Sequence, residues 1–194
     1  RSNIASATKL REMKRNNENI NDFIPYKLED INCDIPYDIS NLDSAIISKL
    51  RLMTAEELQN ISEVTEGIEN RILSSANMSY SFETLVENVK NKRYTTSKIR
   101  RMIISALIGF TKDIYSPMPQ YIRILGMNKV GMTILKQAKD ICKVPIITKT
   151  ADFKEQSPQF NLDVRATNIA MLCNPIPTHR IGNADLKKSP IIMK

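Results

Sequence analysis

The sequence contains no tryptophan, five glycines and a single histidine in 194 residues, and each shortage removes a class of protein. So few glycines exclude a collagen-like chain and argue against a glycine-rich propeller. One histidine, His179, provides no metal-ligand spacing and gives no positive support to a Ser/His/Asp or Cys/His centre. The three cysteines, Cys33, Cys142 and Cys173, are odd in number, far apart and without a CxxC pair. That pattern suggests neither a disulfide framework nor a zinc site, and fits a reducing cytoplasm. No apolar run approaches the about 20 residues needed to cross a bilayer, and the basic start is not followed by a signal-type apolar segment. The expectation is a soluble, cytoplasmic protein without a membrane partner.

What is present suits helices. Hydrophobic residues make up 42% of the chain, enough for a core, and Leu, Ile, Met, Lys and Glu dominate. Periodicity at three and four predicts helices near 43–52, 55–61, 66–76, 82–91, 96–111, 129–142 and 163–173. Thr54-Ala-Glu-Glu57 reads as a capping box. Two β-rich runs, Tyr121–Leu125 and Val144–Thr148, flank the helix at 129–142 and suggest a parallel pair. The fold class is therefore mainly α, a multi-helix domain with a small β-α-β element. We divide the chain into a short helical segment, 1–15, an Asn- and Pro-punctuated connector, 16–42, and a helical carboxy-terminal domain, 43–194. The tail after Cys173 lacks periodicity and is expected on the surface or as an extended arm.

Twenty-eight Lys and Arg against twenty-one Asp and Glu give a net charge of +7, which makes a polyanion a plausible partner, subject to how the cations are distributed. Two stretches concentrate them. In Ile4-Ala-Ser-Ala-Thr-Lys-Leu-Arg11, small hydroxyl residues open a helix and Lys9 and Arg11 follow. Cations are disfavoured at a helix amino terminus unless an anion lies beside them. A phosphate held by backbone N–H groups and the Ser6 and Thr8 hydroxyls, with Arg11 neutralising its charge, resolves the conflict. A plain hydroxyl cap with solvated cations is the competing reading.

The second stretch, Lys90 to Arg101, holds six basic residues and no acid astride a helix start. An apolar stripe through Ile99, Met102, Ile103, Ala106, Leu107 and Phe110 turns Arg100 and Arg101 outward. Lys90, Lys92, Arg93 and Lys98 are placed to meet phosphates, and Tyr94 to stack on an unpaired base; a merely solvated face is the alternative. Glu63, Glu66 and Glu69 lie three apart, with Thr65 as a helix cap and the acids satisfying the helix dipole, so a structural role is favoured over acid–base work; Gly67 permits close approach of another backbone. Arg123, near a strand-to-helix turn, is a secondary anion candidate.

Taken together, Ala5-Ser-Ala-Thr-Lys-Leu-Arg11, Glu63-Val-Thr-Glu-Gly-Ile-Glu-Asn-Arg71, Lys92-Arg-Tyr-Thr95 with Arg100-Arg101, and Tyr121-Ile-Arg-Ile-Leu-Gly-Met127 resemble the tRNA(Met) cytidine acetate ligase family in order and spacing. The resemblance implies an enzyme with a nucleotidyltransferase-like amino-terminal domain carrying an HxGH-type motif and a helical domain after it, of which this chain is the carboxy-terminal portion. It implies that ATP activates acetate as acetyl-adenylate, releasing pyrophosphate, and that the wobble cytidine of elongator tRNA(Met) is then acetylated. Ser6, Thr8 and Arg11 would contact the ATP phosphates. Magnesium, where required, would be held by nucleotide and the amino-terminal domain. Lys90, Lys92, Arg93, Tyr94, Lys98, Arg100 and Arg101, with Arg123 second, would bind tRNA; DNA is not expected. One histidine cannot supply an HxGH pair, so these residues alone are expected to be inactive. A non-catalytic helical RNA-binding module and a protein-interaction domain are the alternatives.

Overall fold

The computed structural model describes residues 5–24, 36–65, 67–116, 118–153 and 157–193; Cys33 and Glu66 lie outside them. The described chain is mainly helical. Helix α1 spans Ala7–Arg15. The principal bundle follows: α2 (Asp43–Leu52), α3 (Ala55–Gln59), α4 (Ile68–Met78), α5 (Phe82–Val89) and α6 (Thr96–Ile108).

Each bundle helix forms where an apolar stripe coincides with a start or stop signal. Ser81 caps α5 by accepting the Thr84 amide at 3.2 Å, and the Thr54–Glu57 capping box is complete, at 2.8 and 3.2 Å. Helix α6 stops at Gly109, whose φ of +71° is a left-handed conformation that glycine adopts without a Cβ penalty. The stripes converge on one core: Ile46 and Leu50 of α2, Leu58, Ile72, Leu85 and Val86, and Ile99, Met102 and Ile103 of α6 are all 1% exposed or less.

Polar side chains lock the helices to one another at their ends. Asp43 of α2 accepts the Phe82 amide at the start of α5, at 2.8 Å. Arg71 of α4 donates to the last carbonyls of α5, Val89 at 2.8 Å, Lys90 at 2.9 Å and Asn88 at 3.1 Å. Arg51 of α2 does the same for α4 through Ala76 and Ser79, both at 3.1 Å. Such contacts satisfy orphan carbonyls and place cations at the negative ends of helix dipoles. They also remove Arg51 and Arg71 from the pool of cations free to meet a ligand.

Beyond the bundle lie β1 (Ile122–Arg123), β2 (Gly126–Met127), α7 (Lys129–Ile141), β3 (Ile146–Ile147) and α8 (Pro158–Met171), which packs on α6. Strand β1 pairs parallel with β3, Ile122 opposite Ile146. The tail lies largely on the surface, one of the two expectations, but it is not simply an extended arm. It forms α9 (Ala184–Lys187) and β4 (Ile191–Ile192), and β4 pairs parallel with β2. Helix α8 begins five residues before the predicted 163, because Ser157 accepts the Phe160 amide and Pro158 occupies the first helical position.

Candidate functional site

Helix α1 presents the first group of residues. Ser6 is its N-cap and accepts the Lys9 amide at 3.2 Å. The first turn carries no acid, and Ser6, Thr8 and Arg11 are all exposed. Among the described residues no ion pair includes Lys9 or Arg11. The positive helix end is thus accompanied by hydroxyls and cations, a composition that attracts an anion.

The amino terminus of α6 repeats these residue classes, a parallel that the sequence analysis missed although it is legible in the letters. Thr95-Thr-Ser-Lys-Ile-Arg100 matches Ser6-Ala-Thr-Lys-Leu-Arg11: a hydroxyl cap, a second hydroxyl at the third position, then lysine, an aliphatic residue and arginine. Thr95 accepts the Lys98 amide at 3.3 Å, and again no acid lies in the first turn. The arginines differ in their surroundings. Arg100 is bound to Glu83 and lies 5.2 Å from the centre of the Phe82 ring. Arg101 grips Glu63 through Nε, 3.0 Å from each carboxylate oxygen. Both are turned outward as the stripe implied, but each is paired, since a stripe cannot reveal which acids a neighbouring helix or loop brings alongside.

Tyr94 also departs from expectation. The residue is 9% exposed and belongs to the core; its hydroxyl shares a 2.5 Å hydrogen bond with Thr65. Arg93 and Lys98 lie over the ring at 5.3 and 5.2 Å, so Tyr94 holds two cations by cation–π attraction instead of offering a face for stacking. Lys90 makes a loose, exposed contact with Glu87 at 3.5 Å, and Lys92 is exposed. Lys92, Arg93 and Lys98 therefore form the electropositive part of this ridge.

The acidic motif is not one helical face. Glu63 precedes α4 in a left-handed conformation, φ +66°. Glu69 is 3% exposed and accepts from Gln59 at 3.0 Å; burial raises its carboxyl pKa, but Gln59 and nearby backbone N–H groups outweigh this and leave it below the ordinary value. Thr65 does not cap α4. Gly67 does, at φ +91°, and nothing crowds its missing Cβ; backbone conformation, and not close approach, explains this glycine.

Arg123 is committed elsewhere. It forms a two-pronged pair with Asp185 of α9, at 2.6 and 2.7 Å, and the Asp185 bond raises its pKa further. Asp185 is 6% exposed, so the pair ties β1 to the tail. Tyr121 donates to Asp163 of α8; burial first, then this carboxylate, pushes its hydroxyl well above the usual tyrosine range. His179 sits exposed in a short turn at 177–179.

Residues 1–185 match the family model described as HIGH Nucleotidyl Transferase. The chain belongs to that family. The family's relatives include the tRNA(Met) cytidine acetate ligases of Acetivibrio thermocellus, 35% identical across 76% of this chain and 38% of that protein, and of Thermosipho africanus, 32% identical across 98% and 52%. A third such ligase, from Clostridium botulinum, is 31% identical across 98% of this chain and 48% of its own length. The chain spans about half the length of the curated relatives it matches from end to end. The crystal structure of Thermotoga maritima TmcAL bound with alpha-thio ATP superimposes with a TM-score of 0.83 at 28% identity, covering 98% of this chain and 52% of that one.

Proposed function

We propose that this chain is the carboxy-terminal portion of an ATP-dependent tRNA(Met) cytidine acetate ligase, contributing one ATP-phosphate motif and the tRNA-binding surface. The observation that carries the reading is the amino end of α1, where hydroxyls, Lys9 and Arg11 meet a helix dipole with no first-turn acid. The names of the relatives and the ATP analogue bound to TmcAL support it. Residues 1–15 are read as the end of the nucleotide-binding domain, 16–42 as a connector, 43–194 as the helical domain, and β1-α7-β3 as its β-α-β element.

In this reading acetate attacks the α-phosphorus of ATP and pyrophosphate leaves. The exocyclic amine of the wobble cytidine then attacks the acetyl carbonyl and expels AMP, and the amine loses a proton. Ser6, Thr8 and Arg11 act in the first step: the hydroxyls orient phosphate oxygens, and the guanidinium stabilises charge that grows between the α- and β-phosphates. The single histidine cannot form an HxGH pair, so the remainder of the nucleotide site is read as belonging to other residues of a longer enzyme, which with the nucleotide would hold magnesium where it is required. Lys92, Arg93 and Lys98 carry the tRNA backbone contact, with Lys90, Arg100 and Arg101 beside them.

The test is acetate-dependent ATP–pyrophosphate exchange by the complete enzyme. Arg11→Ala is expected to slow exchange by about 10²-fold, the effect typical of losing one preorganised charge-stabilising group. An unchanged rate would remove Arg11 from the phosphate site.

A further inference from the structure

A cavity of 230 Å³ opens between the ends of two parallel strands and the tail. Strands β1 and β3 run parallel, so both end at the same edge, and the residues that follow them, Ile124 and Leu125 after β1 and Thr148 and Thr150 after β3, line one part of it. The carboxyl ends of parallel strands are where α/β units hold their ligands. The tail supplies the rest of the wall with Lys188, Ser189, Pro190 and Ile191. Pairing of β4 with β2 fixes that wall: Ile191 donates to the Leu125 carbonyl at 3.0 Å and Met193 to that of Met127 at 2.9 Å. A Cβ on Gly126 would stand 3.2 Å from the Ile191 carbonyl oxygen, so a glycine is what lets the tail lie this close.

The wall divides into a few polar groups and an aliphatic surface. Arg123 lines the cavity, but its charge is matched by Asp185, and the Thr150 hydroxyl donates to the Asp185 carbonyl. The donors left for a ligand are the Lys188 ammonium and the hydroxyls of Ser189 and Thr148. Among the described residues no acid lines the cavity, and no ion pair includes Lys188. The remaining lining, Ile124, Leu125, Pro190 and Ile191, is aliphatic. Leu125 and Ile191 are 70% and 66% exposed, two large apolar side chains left open to solvent beside a lysine.

We infer that this cavity binds a branched aliphatic carboxylate of about five carbons, its charge on Lys188 and the two hydroxyls and its alkyl group against the aliphatic lining. Size sets the chain length. At ~30 Å³ for each water-sized group, 230 Å³ holds about seven non-hydrogen atoms, the number in a five-carbon acid. Acetate, with four, would leave much of the space unfilled and the contacts with the wall unmade. Chemistry sets the class. Phosphate presents four oxygens and no apolar surface, so some of its oxygens would face aliphatic carbons without a donor, which is costly for a charged group. Neither α1 nor the Lys90–Arg101 ridge lines the cavity, so the site stands apart from the ATP and tRNA surfaces proposed above.

The experiment titrates isovalerate (3-methylbutanoate) into the chain and follows the amide NMR shifts of Leu125, Thr148 and Ile191, with acetate, inorganic phosphate and 3-methylbutan-1-ol as comparators. Isovalerate should move all three amides with a Kd on the order of 1 mM, and acetate and the alcohol should each bind at least tenfold more weakly. Lys188→Gln, at an exposed side chain, should weaken isovalerate about tenfold, the scale of one charge-assisted hydrogen bond, and Lys188→Arg should retain most of the affinity. Leu125→Ala should weaken isovalerate and leave acetate unchanged. If the alcohol binds as well as the acid, or Lys188→Gln has no effect, the cavity recognises no carboxylate and the assignment fails. Phosphate binding more tightly than isovalerate would give the cavity to a phosphate and overturn the aliphatic acid. Unmoved amides at ten times the expected Kd would overturn the site itself.

Discussion

At the scale of single residues, three positions depart from the conformation or surroundings that their neighbours in sequence imply. Gly67 follows a run of polar residues that reads as a helix start, yet α4 begins only after it and the glycine stands at φ +91°. A Cβ there meets no neighbour, so the cost of substitution is purely conformational. Gly67→Ala is expected to lower stability by about 1 kcal/mol, read as a shift of the urea midpoint at constant m-value; no shift would mean that the backbone relaxes out of the left-handed region. Glu63 and Tyr94 are the other two. The first is an acid captured by Arg101 before α4 starts; the second is an aromatic whose two overlying cations hide it. The Glu63–Arg101 pairing joins residues 38 positions apart, which only folding brings together, whereas Arg93 and Lys98 are near neighbours of Tyr94 in sequence.

At the scale of elements, the bundle owes its register to side chains that reach from one helix to the end of another. Arg71 makes three hydrogen bonds to the carboxy-terminal carbonyls of α5, and only a planar fork of donors does this. Arg71→Ala is expected to cost about 1–2 kcal/mol in urea denaturation. Arg71→Lys should recover less than half, because charge without the fork satisfies one carbonyl at best. Equal stability of the lysine variant and the wild type would show that the dipole interaction alone is responsible. The helices themselves were legible in the sequence. The predicted 43–52 is α2 as observed, and the starts of α3, α5, α6 and α7 agree with the structure, because an apolar period and a capping or acidic start signal, Asn128 in the case of α7, act locally. The beginning of α8 and the existence of α9 were not, since α9 is four residues long and is fixed by Asp185 reaching Arg123 across 62 positions.

At the scale of the whole molecule, a net charge of +7 is distributed unevenly, and ion pairing decides which cations remain available. Arg51, Arg71, Arg100, Arg101 and Arg123 each have partners; Lys92, Arg93 and Lys98 form the open ridge. On the proposed reading, replacing Lys92, Arg93 or Lys98 singly by Gln should weaken tRNA binding similarly for cognate and noncognate species and reduce the slope of log affinity against log salt by about one. Filter binding across a salt series measures this. Unequal losses between tRNAs would assign those residues to base readout. Arg100→Glu and Arg101→Glu are poor probes of the same surface, because each would set a new carboxylate against Glu83 or Glu63 and disturb the fold as well as the charge.

By itself the sequence determined what depends on near neighbours: the mainly helical character, most bundle helix starts, the hydroxyl-and-cation segment Ser6–Arg11, and the density of positive charge from Lys90 to Arg101. Helix propensity, capping and periodicity act over a turn or two, so the letters carry them. The tertiary structure alone decided which charges survive pairing, that Tyr94 lies inside while Tyr115 lies outside, and that α6, the 61–63 segment and the 110–115 segment come into contact. Those outcomes depend on contacts between residues tens of positions apart, whose energies exist only once the core has brought them within a few ångströms.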